Sequence, residues 1–484
     1  MTRRLAILIG AGLVAGIAIV VLGITLIGPS PPADRADGLV PADVRVYVHL
    51  STDPERDRDA RVLELLQRFP AVTALRRRAE AAVGAFDFKR DVRSWLGKEA
   101  AIAATPRGTL LVLAVEKEPT AQGVLTRVAG ARPAGRHAGV VVRRFGPTAA
   151  AFTGGFLVIG PEALVKQSID LEQGRGRSLA EVGIYARAAE LRPDDRSIDA
   201  WTDGSGAAFV LPLRLANLVG GWPVSASVIP NDRGLRLSVR RFGGVSREAD
   251  FDPKLIESVP DDALAYVGVR SPRAIGPLLP EAVGDAAGGL KRGLRPLLKV
   301  LDGGSALSIT PATPEPVVTL SARTSDPGAA REALAGLQGV IAGLLTGSED
   351  LTGQVPTFEE RDFGDGLDGF RLRLAGGGKL AYVVTGRTVI VSNSEDGIRR
   401  ATEPEGSVRD TEDFGAAVDG VPGTAQALAF LDASKLLALG DEAGLDASPT
   451  YRAVRNDLRK VRALGAVVRR RGNDTTVELN FLIP

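Results

Sequence analysis

Apolar residues occur in two patterns along the chain: one long uninterrupted run at the N-terminus, and many short alternating runs after it. Residues 5–28 include no charged side chain. With a rise of about 1.5 Å per residue, a helix of this length reaches roughly 36 Å, which exceeds a hydrocarbon core of about 30 Å. The first pattern therefore predicts a transmembrane helix over residues 5–28.

The flanks of this run predict its orientation. Residues 1–4 include Arg3 and Arg4, which favour a cytoplasmic stub by the positive-inside rule and an extracytoplasmic remainder. The alternative, a cleaved signal peptide, has an apolar region of about 7–15 residues and an A-x-A-like cleavage site. The run here is longer, and the Pro-rich residues 29–39 contain no such site, which favours an uncleaved signal-anchor followed by a linker over 29–39.

The short alternating runs recur in a fixed order. VPADVRVYVHL (40–50) is echoed by VPDDALAYVGV (259–269), and both alternate as half-buried strands do. Further pairs follow in the same order, including AAAFTGGFLVIG (149–160) with LAYVVTGRTVIVS (380–392), where the Thr-Gly steps predict hairpin turns. This order predicts a tandem duplication, with repeat 1 over 40–250 and repeat 2 over 256–484.

Within each repeat, strands follow one another directly more often than through helices. Direct succession favours antiparallel pairing over a doubly wound parallel sheet. The predicted fold class is therefore α+β: an N-terminal transmembrane helix followed by two tandem, duplicated α+β modules with mainly antiparallel sheets.

Composition narrows the function classes. The 484 residues include 60 Lys and Arg against 58 Asp and Glu, a net charge of +2, which gives no electrostatic basis for binding nucleic acid. The chain has no cysteine, so disulfides, thiolate metal sites and cysteine nucleophiles are excluded.

Catalytic and cofactor motifs are not found. The two histidines, His49 and His137, are too few for a typical catalytic zinc site, and no G-x-S-x-G element occurs. His49 could act as a base, but we interpret it as a strand histidine with a polar neighbour. We predict no enzyme activity, no catalytic residue and no cofactor.

An acidic loop offers the only metal candidates that we identify from the sequence. Asp362, Asp365 and Asp368 could supply oxygens to Ca²⁺, although the ligand spacing of an EF-hand is absent. The alternative is a solvated acidic loop without a metal.

Four segments carry a family resemblance: residues 40–50, 149–160, 259–269 and 380–392. They resemble an uncharacterised actinobacterial membrane-anchored family, the domain of unknown function 3352. The resemblance implies exported or membrane-anchored α+β proteins with no established activity, and it assigns no functional residues.

These observations predict a single-pass, membrane-anchored, extracytoplasmic cell-envelope protein, most simply a non-catalytic binding or scaffold module. A carrier or chaperone for lipid or apolar peptide is the alternative, and a hydrolase with an unrecognised site is a further one. The expected partners are the bilayer, through the N-terminal helix, and an envelope protein or lipid ligand. Gly12 and Gly16 form a G-x-x-x-G that could bring two copies together as a homodimer.

Overall fold

The structure is a computed structural model of the chain. It describes residues 34–52, 91–205, 221–244, 250–272, 286–312, 315–346, 357–364, 367–373, 379–420, 422–445 and 448–483. The predicted transmembrane segment 5–28, with Gly12 and Gly16, lies outside the described residues.

Ten strands of the described residues form the first part of the sheet, and short turns join most of them. They are β1 (Val46–Ser51), β2 (Leu96–Thr105), β3 (Gly108–Val115), β4 (Arg132–His137), β5 (Val140–Phe145), β6 (Thr148–Thr153), β7 (Phe156–Gly160), β8 (Ile198–Thr202), β9 (Val224–Asn231) and β10 (Gly234–Arg241). The predicted hairpin between β6 and β7 is confirmed, and Gly154 and Gly155 supply the positive φ that its turn requires.

Ten more strands follow in the second part. They are β11 (Ala265–Val269), β12 (Leu301–Thr310), β13 (Val317–Thr324), β14 (Thr357–Asp362), β15 (Asp368–Arg373), β16 (Lys379–Thr385), β17 (Thr388–Ser392), β18 (Ala427–Asp432), β19 (Ala463–Arg471) and β20 (Asp474–Leu482). The hairpin between β16 and β17, predicted at Thr385-Gly386, is confirmed.

Each half pairs its strands in the same order, and every pair is antiparallel. The first half runs β4-β5-β6-β7-β3-β2-β1-β8-β9-β10 across the sheet. The second runs β20-β19-β18-β11-β12-β13-β17-β16-β15-β14, which is the same order of equivalent strands in reverse. This correspondence supports the predicted duplication, whereas the boundaries 40–250 and 256–484 stay predictions.

The two halves share one sheet. β10 pairs with β20 from Gly234–Leu482 to Arg241–Thr475, so the twenty described strands form a single antiparallel sheet. The predicted fold class, with two tandem α+β modules that each have their own mainly antiparallel sheet, is therefore wrong. An edge strand exposes unpaired backbone groups, and pairing β10 with β20 removes one such edge from each half.

Helices cover both faces of the sheet. They are α1 (Glu118–Ala129), α2 (Glu162–Glu172), α3 (Gly183–Glu190), α4 (Ala286–Val300), α5 (Pro327–Thr346), α6 (Glu395–Thr402), α7 (Glu412–Val418), α8 (Ala433–Glu442) and α9 (Pro449–Leu458). None of these helices, nor any other in the described ranges, is both long and apolar enough to cross a bilayer.

The core is divided between the two faces because successive side chains of a strand point to opposite sides. Tyr47 packs with α2 and α3 on one face, and Val46 and Val48 pack with α1 on the other. The second face continues across the shared edge, because the cluster around Val48 includes Ala433 and Ile483 from the second half. The Tyr47 face also contains the charged groups described next.

Candidate functional site

The candidate site is a cluster of charged side chains in the core of the first half. Tyr47 and His49 are two residues apart on β1, so they share one face of the sheet. On β8, Trp201 lies opposite Tyr47 and Asp199 lies opposite His49. The side chains of His49 and Asp199 are only 2% and 3% exposed. Ionisable groups are rarely buried to this degree unless they are paired.

Three carboxylates surround the imidazole of His49. Its Nε2 lies 3.5 Å from a carboxylate oxygen of Glu99 and 3.8 Å from one of Asp34, and its Nδ1 lies 3.9 Å from one of Asp199. These distances exceed those of hydrogen bonds, and Nε2 has no hydrogen-bond partner among the described residues. His49 is therefore in close ionic contact on both sides of its ring without a direct bond at Nε2.

Asp34 is fixed by three donors. The hydroxyl of Tyr47 donates to its Oδ1 at 2.5 Å, and the hydroxyl of Tyr185 donates to its Oδ2 at 2.8 Å. The guanidinium of Arg192 donates to the same Oδ2 at 3.1 Å and lies over the ring of Tyr185. Asp34 precedes the 3-10 helix Ala36–Leu39, so the end of the predicted linker is part of the packed fold.

Glu99 enters the cluster from an irregular part of β2. The register of β2 against β3 shifts between Leu96 and Ala100, and Glu99 lies within this bulge. Arg35 donates from its backbone N–H to one oxygen of Glu99 and from its Nε to the other, both at 3.0 Å. Bulges commonly redirect a side chain, which accounts for the buried carboxylate of Glu99 in this strand.

Asp199 has its own set of partners. The hydroxyl of Ser227, opposite on β9, donates to Oδ1 at 2.9 Å, and the Nε of Arg196 donates to Oδ2. Because both oxygens are bonded, Asp199 is held in place beside Nδ1 of His49.

The cluster shifts the titration of its members. Burial favours the neutral imidazole, but the charge of Asp34, together with Asp199 and Glu99, outweighs it and raises the pKa of His49 to about 10. Burial likewise opposes ionisation of Asp34, yet His49 and Arg192 hold the pKa of this carboxyl below its usual range. His49 is therefore a cation and Asp34 an anion near neutral pH.

Asp37, three residues after Asp34, titrates in the opposite direction. Burial and repulsion from the Asp34 carboxylate raise the pKa of Asp37 to about 7, although Arg192 and His49 act to lower it. For Asp199, the interactions with His49, Arg192 and Arg196 outweigh burial and hold the pKa of the carboxyl below its ordinary value. The cluster thus keeps opposite charges in close contact within the core.

The same positions of the second half are uncharged. β11 pairs with β18 in the register of β1 with β8, so Gly268 lies opposite Leu428 where His49 lies opposite Asp199. By the alignment of β12 on β2, the place of Glu99 is taken by Gly304. The strand pairing therefore does not require charge at these positions.

The second half also has aromatic side chains around this position, but they do not bond to a carboxylate. Tyr266 takes the place of Tyr47, and its ring packs edge-on against Phe414, which in turn packs against Phe430. The hydroxyl of Tyr266 is buried and has no hydrogen-bond partner among the described residues, whereas that of Tyr47 bonds Asp34. The two halves share a fold and differ in the chemistry at its centre.

The sequence-predicted metal candidates lie elsewhere. Asp362 and Asp368 face each other where β14 meets β15, and Asp362 accepts a bond from the backbone N–H of Gly364. Asp365 lies outside the described residues, so the calcium hypothesis stays a prediction. His137 is partly exposed at the end of β4, where its Nε2 lies 2.9 Å from Asp170.

The sequence points to His49 but not to its carboxylates. Asp34 falls in the predicted linker 29–39, and Glu99 and Asp199 are single carboxylates within predicted strands that no motif marks. A usable signal was present, because His49 and Asp199 stand at positions where the second repeat has Gly268 and Leu428. The described residues bring the ligand atoms of Asp34, His49 and Glu99 within 4.8 Å of one another, as a metal site would require.

Among curated proteins, none matches the sequence. Three crystal forms of TP0453 are structurally similar at a low level. Form III has 8% sequence identity and a TM-score of 0.29, and the match covers 44% of this chain and 81% of the TP0453 chain. Form I has 9% identity and a TM-score of 0.29, and the match covers 46% of this chain and 82% of the TP0453 chain. Form IV has 10% identity, a TM-score of 0.28 and coverages of 44% and 81%.

A family comparison covers more of the sequence. The family described as "Protein of unknown function (DUF3352)" matches residues 5–275, which include the predicted anchor, every residue of the charged cluster and β11. The match thus extends over more than half of the chain, and the protein belongs to the DUF3352 family.

Proposed function

We propose that this protein is a single-pass, membrane-anchored binding module that faces the outside of the cell and is not an enzyme. The uncharged run 5–28, preceded by Arg3 and Arg4, carries the proposal. Such a run is long enough to cross a bilayer, and the basic residues before it favour a cytoplasmic N-terminus.

The fold supports a position close to the membrane surface. The described part of the chain begins at Asp34, whose carboxylate accepts hydrogen bonds from Tyr47, Tyr185 and Arg192. Residues 29–33 lie in the sequence between the apolar run and Asp34, and five residues can span at most about 18 Å. A single sheet through both halves follows directly on the proposed anchor, which suits a rigid platform for a partner at the membrane.

The topology is tested with a reporter that is active only outside the cytoplasm, fused after Pro484. We expect signal from the full chain and retention of the protein in alkaline-washed membranes. A matched variant with Leu13→Arg and Val20→Arg places two charges in the apolar run and should lose membrane retention. Absence of signal from a stable fusion, or release of the unmodified chain by alkali, would overturn the anchored topology.

The non-catalytic role has a separate test. The purified full chain in detergent is assayed against ester, peptide and glycoside substrates, together with the isosteric Asp199→Asn variant. We expect no turnover above background in either. A turnover present in the natural chain and abolished in Asp199→Asn would contradict the binding role and assign catalysis to the buried cluster.

A further inference from the structure

The charged cluster of the first half has the composition of a metal site. Its imidazole nitrogen, His49 Nε2, and the carboxylates of Asp34 and Glu99 converge on one region of the core. All three side chains are at most 6% exposed. We propose that Asp34, His49 and Glu99 bind a divalent first-row transition cation, with zinc or manganese as the best fit, which goes beyond the proposed membrane-anchored role.

The distances suit a small cation. Ligand atoms about 2.0–2.2 Å from a common zinc ion are roughly 3.0–3.5 Å from one another. His49 Nε2 lies 3.5 Å from Glu99 and 3.8 Å from Asp34, so a contraction of a few tenths of an ångström brings these two pairs to that separation. The ligand oxygens of Asp34 and Glu99 lie within 4.8 Å of each other. The same distances are too long for hydrogen bonds.

The unbonded nitrogen points independently to a ligand. His49 Nε2 is buried, has no hydrogen-bond partner among the described residues and faces two carboxylates. A buried polar atom without a partner is costly, because it has lost its bonds to water. On binding, the metal ion takes the place of the proton on Nε2, which is released to solvent, and it bonds the imidazole and both carboxylates at once.

The surrounding bonds are those that orient metal ligands. Asp199 lies 3.9 Å from Nδ1 of His49, on the side from which a carboxylate commonly fixes the orientation of a metal-binding histidine. The hydroxyls of Tyr47 and Tyr185 hold Asp34, and Arg35 holds Glu99. Each carboxylate oxygen has two lone pairs, so these bonds leave room for a metal bond.

The ligand types select the cation. An imidazole nitrogen is a poor ligand for Ca²⁺ and Mg²⁺, which bind oxygen, and it suits the first-row transition metals. The two carboxylates add negative charge, which stabilises a bound Zn²⁺ or Mn²⁺. The second half serves as the internal contrast, since Gly268 and Gly304 replace His49 and Glu99 and can supply no side-chain ligand.

The test uses the tag-free full chain in detergent, stripped with a chelator and titrated with Zn²⁺ and with Mn²⁺ by calorimetry. We expect one ion per chain. His49→Gln and Glu99→Gln each remove one ligand, and Asp199→Asn alters the orienting carboxylate, so each should weaken affinity by at least tenfold. The matched control is His137→Gln, which alters the other histidine and should leave affinity unchanged.

A measurement on the natural chain keeps the proposal testable if a variant fails to fold. X-ray absorption of the zinc-loaded protein should show one imidazole nitrogen, with oxygen completing the first shell. Two imidazoles in that shell would assign the ion to a different site and overturn the proposal. Absence of stoichiometric binding of either metal, or equal affinity in His49→Gln, would overturn it as well.

Discussion

His49 on β1 lies directly opposite Asp199 on β8, with Nδ1 of the imidazole 3.9 Å from a carboxylate oxygen. At the same register of the second half, Gly268 lies opposite Leu428. One sheet therefore contains a charged and an apolar version of the same core. Buried ion pairs contribute little net stability compared with well-packed apolar groups, so folding alone does not account for the charged version, whereas the proposed metal site would.

Removing one charge from this core should be costly. Asp199→Leu introduces the residue of the second half but leaves His49 and Arg196 without their buried carboxylate. We expect the free energy of unfolding to fall by about 3–5 kcal/mol, the usual cost of an uncompensated buried charge. Urea unfolding followed by circular dichroism measures the loss.

The control for this substitution is an ion pair at the surface. Asp43 and Arg107 are paired at 3.1 Å and both are about half exposed. Asp43→Asn should change the free energy of unfolding by less than about 1 kcal/mol. Equal losses of unfolding free energy in Asp199→Leu and Asp43→Asn would show that the buried charge contributes no more to stability than the exposed one.

Removing both members of the pair should cost less than the sum of the single changes. The double variant His49→Leu/Asp199→Leu removes both members of the pair, so neither is left as a buried charge without the other. A double-mutant cycle should therefore give a coupling energy of about 0.5–3 kcal/mol. Strict additivity of the three urea-unfolding measurements would mean that the two side chains do not interact.

The strands could be predicted from the sequence because their pattern is local. The alternation in VYVHL placed Tyr47 and His49 on one face of β1, and the structure agrees. The single sheet could not be predicted, because β10 pairs with β20 across more than 200 residues and no local pattern encodes that register. Two separate sheets were the natural expectation from a repeat.

The charged cluster was hidden for a related reason. Its members come from residues far apart in the chain: Asp34 before the first strand, Glu99 in a bulge of β2 and Asp199 on β8. Each alone resembles an ordinary surface charge. Only the strand register shows that they meet, although the contrast between His49 and Gly268 was visible in the repeat.

The pairing of β10 with β20, which connects the two halves, gives a further prediction. Gly234 begins β10 with φ of +146°, and a Cβ there would lie 2.0 Å from the carbonyl oxygen of Phe481 on β20. Gly234→Ala should lower the free energy of unfolding by at least about 1–3 kcal/mol from backbone strain, and by more because of the clash. Circular dichroism in urea measures the loss.

This substitution should also separate the halves on unfolding. In the natural chain we expect tryptophan fluorescence, which reports the first half, to change together with circular dichroism, which reports both. In Gly234→Ala the two transitions should separate. The control is Gly123→Ala in α1, where a Cβ meets nothing within 4 Å and stability should rise by about 0.5–1 kcal/mol. Coincident transitions in Gly234→Ala would show that the pairing of β10 with β20 is not what makes the two halves unfold together.

The last prediction concerns pH and the packing of α8 on α9. Arg455 on α9 donates to both oxygens of Asp441 on α8, and the hydroxyl of Tyr451 donates to one of them. The bonds from Arg455 hold the pKa of the Asp441 carboxyl below its ordinary value, although burial acts against this. A carboxyl whose pKa is lower in the folded state stabilises that state above the unfolded pKa of about 3.9 and loses the contribution as pH falls through the folded pKa.

Carbon NMR of aspartate-labelled protein should show Asp441 titrating below about 3.9, and Arg455→Gln should raise the midpoint. Arg452→Gln on the same helix is the control, and an unchanged midpoint in Arg455→Gln would contradict the assignment.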